Sequence, residues 1–244
     1  MTTGLANRRP AQPPNSLMIG GQLVMLDHAG GALLNESNTL VVADLHLEKA
    51  ADFARTGQML PPYDSEATLR ALEVLVLRAK PTSLVLLGDS FHRSTSRLSG
   101  ADAVILSAIA QRCALVWVTG NHDAELPADL PGERLSDLRI GGLVLRHEPG
   151  DDGAPEMIGH LHPSARIATR GGLKRRRCFL ASTHRLLLPA FGALTGSLDI
   201  FDPPIVSLFP PAQSCAYLLA KDCVHRVPMR GLTPRRSAFT LSGR

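Results

Sequence analysis

The sequence predicts an α/β protein of two packed sheets flanked by helices, and three observations carry that prediction. β-branched apolar runs alternate with amphipathic helical stretches through the first part of the chain, the pattern of parallel strands joined by covering helices. The later part is cut by glycines and prolines into short apolar runs and looks richer in strands. The 244 residues are 44% hydrophobic and 20% charged, ample for a large core and too apolar for a disordered chain.

In chain order, residues 1–16, with Arg8, Arg9 and several prolines, are expected to form a mobile leader. Residues 17–231 are expected to form one domain and 232–244 a mobile tail, since no linker, repeat or compositional break separates them. Residues 16–26 and 32–35 read as short strands around a Gly30-Gly31 turn. Thr39–Ala43 (TLVVA) is a β-branched run of the kind buried on both faces. Residues 64–80 place Ala67, Leu69, Leu72, Leu75, Val76 and Ala79 at helical spacing, with Pro61-Pro62 before them and Pro81 after. Ser83–Leu87 is a second buried strand, 101–112 a second helix and 114–119 a third strand. Leu143–Arg146 and Glu156–Ile158 read as further strands, with 179–181 and 206–209 in the β-rich end.

Composition narrows the functional classes. Aromatics are 4% with one tryptophan, Trp117, which argues against rows of stacked bases. Lys+Arg 26 against Asp+Glu 22 leaves a formal charge of +4, a weak sign of a polyanionic partner. Cys113, Cys178, Cys215 and Cys223 show no metal-ribbon spacing and read as reduced thiols. The N-terminus has no continuous apolar signal region, and no apolar run nears the roughly 20 residues that span a bilayer. A cytoplasmic protein with no membrane partner is expected.

The polar residues fall at strand ends. TLVVA runs into Asp44-Leu45-His46, and SLVLL into Gly88-Asp89-Ser90-Phe91-His92. The third strand runs into Gly120-Asn121-His122-Asp123, LVLR into His147, and EMI into Gly159-His160-Leu161-His162. In open parallel sheets the strand C-termini share one crevice, where ligands bind. Carboxylates, an amide and imidazoles without thiolate form a mixed N/O donor set suited to manganese, iron or zinc. The donors outnumber what one ion needs, so two ions sharing a carboxylate is the expected count. Alternate residues of an extended segment face one way, so Asp44 and His46 can reach one ion. His160 and His162 can do the same unless the backbone bends to split them. Taken singly, an Asp-x-His is noise and a Gly-Asp is a turn; six of the nine histidines at such positions is not.

This order of motifs, from about Val42 to Pro163, resembles the calcineurin-like metallophosphoesterase superfamily. Its flanks are similar to the bacterial ligase-associated DNA damage response endonuclease family: Val42-Ala43-Asp44-Leu45-His46-Leu47-Glu48-Lys49, Leu60-Pro61-Pro62-Tyr63-Asp64 and Leu188-Pro189-Ala190-Phe191-Gly192-Ala193-Leu194-Thr195-Gly196. The resemblance implies a four-layer α/β/β/α sandwich of the metallophosphoesterase type with a dinuclear centre, usually manganese. It assigns Asp44, His46 and His162 to the first ion, Asp89 to the bridge, and Asn121, His147 and His160 to the second. His122 becomes the general acid or a clamp on phosphate. The implied substrate is a phosphodiester, in particular single-stranded DNA cut endonucleolytically, in repair alongside a DNA ligase and a helicase.

Physical chemistry agrees with those roles. Two cations a few ångströms apart offset the phosphodiester's charge, lower the pKa of a bridging water and hold attack in line. The leaving alkoxide needs a proton that an imidazole supplies at neutral pH. His92 is read as lying beside the ligands or facing substrate, and Asp123 as orienting His122. Glu48, Lys49 and Tyr63 are weighed between substrate contact and ordinary solvated or packed positions. His28, His184 and His225 lie outside the motifs. Lys174, Arg175, Arg176 and Arg177 are a candidate nucleic-acid contact, set evenly against a solvated edge strand. The competing functions are a phosphoesterase for a nucleotide, a phosphoprotein or a lipid-linked pyrophosphate. Further behind stands a binding module on the same fold that has lost catalysis; eroded ligands would mark it, and none is seen.

Overall fold

The computed structural model describes residues 13–55, 57, 63–93, 98, 100–122, 126–169 and 171–232. Most of the expected leader and tail, the Leu60-Pro61-Pro62 motif, Asp123 and Arg170 lie outside them.

Two sheets face each other. The first runs, in sheet order, β1 (Ser16–Ile19), β2 (Gln22–Leu26), β3 (Ala32–Leu34), β4 (Thr39–Ala43), β5 (Ser83–Leu87), β6 (Ala114–Val118) and β7 (Glu133–Leu135). β4 to β7 are parallel, and β1 to β4 antiparallel. The second holds β8 (Asp137–Ile140), β9 (Leu143–Arg146), β10 (Glu156–Ile158), β11 (Pro163–Thr169), β12 (Gly172–Ala181), β13 (Arg185–Leu187) and β14 (Leu198–Asp199). β15 (Cys215–Leu219) joins β12, and β16 (Val224–Pro228) joins β15.

The period of two along each strand sorts side chains into three cores. Val41, Ala43, Val85, Leu87 and Val118 meet Leu143, Leu145, Met157, Phe179 and Tyr217 between the sheets. The alternate residues Leu40, Val42, Leu84, Leu86 and Trp117 pack on α2 (Asp64–Ala79) and α3 (Gly100–Ala110). On the outer face of the second sheet, Ile158, Cys178, Leu180 and Leu218 pack on Ile205 of α4 (Pro203–Leu208) and on Phe209. The layers are therefore helix, sheet, sheet, helix. A short α1 (Lys49–Arg55) precedes α2.

Residues 16–26 form two strands rather than one, because Gly20 and Gly21, at φ +55° and +78°, turn the chain into a hairpin. Residues 206–209 are not a strand. Pro203 and Pro204 occupy the first helical positions, where a fixed φ and a missing N–H suit a helix start. α2 ends at Lys80, whose left-handed backbone (φ +46°) lets its N–H return to the Val76 carbonyl at 2.8 Å. All four cysteines are free thiols. Among the described residues no helix is long and apolar enough to cross a membrane.

Candidate metal centre

β4 and β5 keep company past their ends. The Asp44 N–H donates to the Gly88 carbonyl at 3.2 Å, that of His46 to Asp89 at 2.9 Å and that of Leu47 to Ser90 at 2.9 Å. Two motif loops therefore lie side by side at the rim. Neither is extended as the spacing argument assumed: φ is +55° at Asp44, +46° at His46 and +44° at Asp89. The left-handed backbone, not the pleat, brings Asp44 and His46 to one point. Such positions cost on the order of 1–3 kcal/mol each and gather at functional sites.

Donor atoms converge into two groups. One atom each from Asp44, His46 and His162 lie within 4.8 Å of one another, as do atoms from Asp89, His147 and His160. His160 and His162 part company because both are left-handed, at φ +71° and +44°, so the bend that spacing left open does occur. In the first group, His162 Nε2 stands 3.2 Å from Asp44 Oδ1 and 3.3 Å from His46 Nε2. In the second, His147 Nε2 stands 3.3 Å from Asp89 Oδ2. Asn121 Oδ1 joins it, 3.0 Å from His147 Nε2 and 3.1 Å from His160 Nδ1. Asp89 Oδ2 is also 4.0 Å from His46 Nε2, which sets this carboxylate between the groups.

Backbone groups hold the ligands still. The Nδ1–H of His147 donates to the Leu87 carbonyl and that of His162 to the Gly196 carbonyl, each at 3.2 Å. Those bonds aim both Nε2 atoms inward, the usual support of a metal-binding histidine. The His122 N–H donates to Asp89 Oδ1 at 2.9 Å. The glycines before the motifs make room for these contacts. A Cβ on Gly88 would stand 2.1 Å from His147 Nδ1, and one on Gly120 only 2.3 Å from Asp89 Oδ1. The later segment that includes Ala190, Phe191 and Gly192 closes over β4: the Phe191 N–H donates to Ala43 at 2.8 Å and the Gly192 N–H to Asp44 at 3.2 Å.

Electrostatics favour a cation. Burial, helped by the facing His162, holds His46 down to about 3, so its ring is neutral with a lone pair to offer. Burial also opposes charge on His147, yet its bond to Asp89 and the nearby Asp44 carboxylate push it up to about 9. Burial works against the Asp89 carboxylate too, but the His147 bond and the His122 N–H hold it below the usual range. Buried carboxylates among inward-facing imidazole nitrogens and an amide oxygen, with no thiolate, fit two divalent cations.

The remaining candidates sit around this centre. His122 is 47% exposed, with Nε2 3.9 Å from Asp89 Oδ2. His92 stacks on it at 5.9 Å and on Phe53 at 5.7 Å, and meets His46 edge-on at 6.2 Å. It therefore lies beside His46 and His122. Glu48 gives its N–H to Ser65 Oγ at 2.7 Å, Lys49 opens α1, and Tyr63 is exposed rather than packed. His184 is exposed, and His225 contacts Cys223 Sγ at 3.3 Å. Lys174 to Arg177 lie on β12 and are exposed. Sequence reasoning missed Glu148, whose Oε1 is 3.9 Å from His160 Nδ1. Its only signal was its place after His147. With Thr119, Asn121, Arg146 and His147, it lines a concavity of about 340 Å³.

The model of the calcineurin-like phosphoesterase family matches residues 37–176. The crystal structure of a Pseudomonas putida nuclease, MPE, superposes with a TM-score of 0.68 at 27% identity, covering 87% of this chain and 98% of that one. The E. coli phosphoesterase Yfce gives a TM-score of 0.39 at 17% identity, with 78% and 98% covered. No curated protein matches the chain. The matched span takes in both donor groups, from Asp44 to His162, and the chain belongs to the calcineurin-like phosphoesterase family.

Proposed function

We propose that the protein is a manganese-dependent cytoplasmic phosphodiesterase that cuts single-stranded DNA during repair, with residues 17–231 as its working domain. The observation that carries this reading is the Asp89 carboxylate, held between two separate donor groups. Bound there, a pair of divalent cations offsets the charge of a phosphodiester and acidifies water. Asp44, His46 and His162 hold one cation, Asn121, His147 and His160 the other, and Asp89 both. His122 stands on the exposed rim next to Asn121, where its imidazole gives a proton to the leaving alkoxide. The likeness to a nuclease favours nucleic acid over a small phosphoester, and the exposed cations Lys174, Arg175, Arg176 and Arg177 suit a polyanion. A functional link to a DNA ligase and a helicase belongs to the same reading.

The test is metal-free protein resupplied with single metals and assayed on single- and double-stranded DNA, RNA and small phosphodiesters. Manganese-restored cleavage within single-stranded DNA is expected. Activity confined to phosphomonoesters or to one nucleotide would defeat the reading.

A further inference from the structure

One edge of β12 is only partly covered. Its residues 172–177 pair with β11, while β15 joins the other edge only from Cys178 onward. Where β15 turns away, at Leu219, Ala220 and Lys221, a notch of about 420 Å³ opens. Arg175, Arg176 and Arg177 line it too, with His28 from the turn after β2. Four of these seven residues are cations and none is a carboxylate, although the whole chain carries a surplus of only four charges. Like charges gathered this way repel one another, and an anion relieves that cost. Lys174 is exposed on the same strand but does not line the notch.

Two of the arginines also tie the notch to the metal centre. Arg177 Nη1 donates to the Ala190 carbonyl at 2.6 Å, and the next two residues, Phe191 and Gly192, bond to Ala43 and Asp44. Arg175 donates to Ser164 Oγ at 2.6 Å and to the Ser197 carbonyl, beside the Gly196 carbonyl that receives His162. Short chains of bonds thus join the notch to two ligands of the first group. A guanidinium carries five N–H donors, so arginines held in this way keep others for a ligand. The Arg176 side chain makes no hydrogen bond or ion pair with any described residue.

We infer that this notch binds the sugar–phosphate backbone of a nucleic-acid strand that passes through the metal centre, an anion subsite distinct from the metal ligands. The inference rests on the nucleic-acid reading above and assigns part of the strand's track. Cations bonded to the segments that contact the metal ligands hold a backbone in register without reading bases.

The test measures binding of a labelled single-stranded oligonucleotide to the metal-free full chain over a range of salt, for the parent, Lys221→Glu and His28→Glu. Equal melting temperatures establish that the variants fold. Lys221→Glu is expected to weaken binding about tenfold and to lower the log–log salt slope by about one. In the manganese-restored enzyme it should raise KM for the oligonucleotide and spare kcat. Variants equal to a parent that binds and cuts would overturn the notch alone. A parent that hydrolyses small phosphodiesters but neither binds nor cuts the oligonucleotide would overturn the nucleic-acid reading with it. Inorganic phosphate that competes as well as the oligonucleotide, phosphate for phosphate, would mark a lone-phosphate site and overturn the backbone assignment.

Discussion

The backbone N–H of His160 donates to both carboxylate oxygens of Asp44, at 3.1 Å each. Asp44 follows β4 of the first sheet and His160 follows β10 of the second, so the contact ties the two donor groups across the edge of the sandwich. Asp44→Ala is expected to remove more than one ligand, because His160 then loses its anchor. Metal analysis should find the alanine variant nearly empty. Asp44→Asn keeps an acceptor for the N–H and should retain the second cation, with the first bound at least about 100-fold more weakly. Equal loss in both variants would show that the anchor does not matter.

His122 separates its two roles by atom. The N–H that steadies Asp89 belongs to the backbone, while the ring faces solvent. His122→Ala should therefore leave both cations bound and slow phosphodiester hydrolysis by about 10²- to 10⁴-fold. Single-turnover rates read beside metal content decide it; a parallel loss of metal would make the ring a ligand.

Gly120 leaves no room for a side chain beside Asp89. A Cβ there would press on the Asp89 backbone nitrogen at 2.4 Å as well as on its carboxylate. Gly120→Ala should cost about 1–3 kcal/mol by overpacking, seen as a fall in Tm of roughly 2–12 °C. Displacement of Asp89 should also abolish binding of the second cation. Normal metal content in the variant would show that Asp89 can shift and still bridge.

Glu156 is fully buried at the start of β10, where Arg146 Nε reaches it at 2.6 Å, Gly150 N–H at 3.1 Å and Arg185 Nε closes the set. Removing one member of a buried ionic set strands the others. Glu156→Ala should destabilise the fold by about 3–5 kcal/mol in urea unfolding. Arg146 and His147 are neighbours, so weaker cation binding should accompany the loss. Glu156→Gln keeps part of the hydrogen bonding and should fall between.

A protein built around these donors is stabilised by whatever fills them. Metal added at about 100 times its Kd should raise the unfolding free energy by about 2.7 kcal/mol per independent site. Thermal scans of chelated and manganese-restored protein test this directly. Identical curves would mean that neither group holds a cation.

Much of this was written along the chain. Short apolar runs marked β4, β5, β9 and β10, and a period of 3.6 marked α2, to within a residue, because the strands are buried on both faces and the helix on one. The residue types at the strand ends named the donors, since only carboxylate, amide and imidazole recur there. Other elements were silent. β11 and the exposed half of β12 carry charge where a buried strand would carry apolar residues, and the helix opened by Pro203-Pro204 covers most of the run 206–209 that reads as a strand. Grouping was not legible from the spacing either, and only the family resemblance implied it. Whether His160 and His162 serve one cation or two depends on two left-handed residues, and spacing cannot fix φ. Sequence determined which atoms come to the rim. Only the meeting of two sheets, with Gly88 and Gly120 leaving space for side chains from other strands, decided which of those atoms stand together.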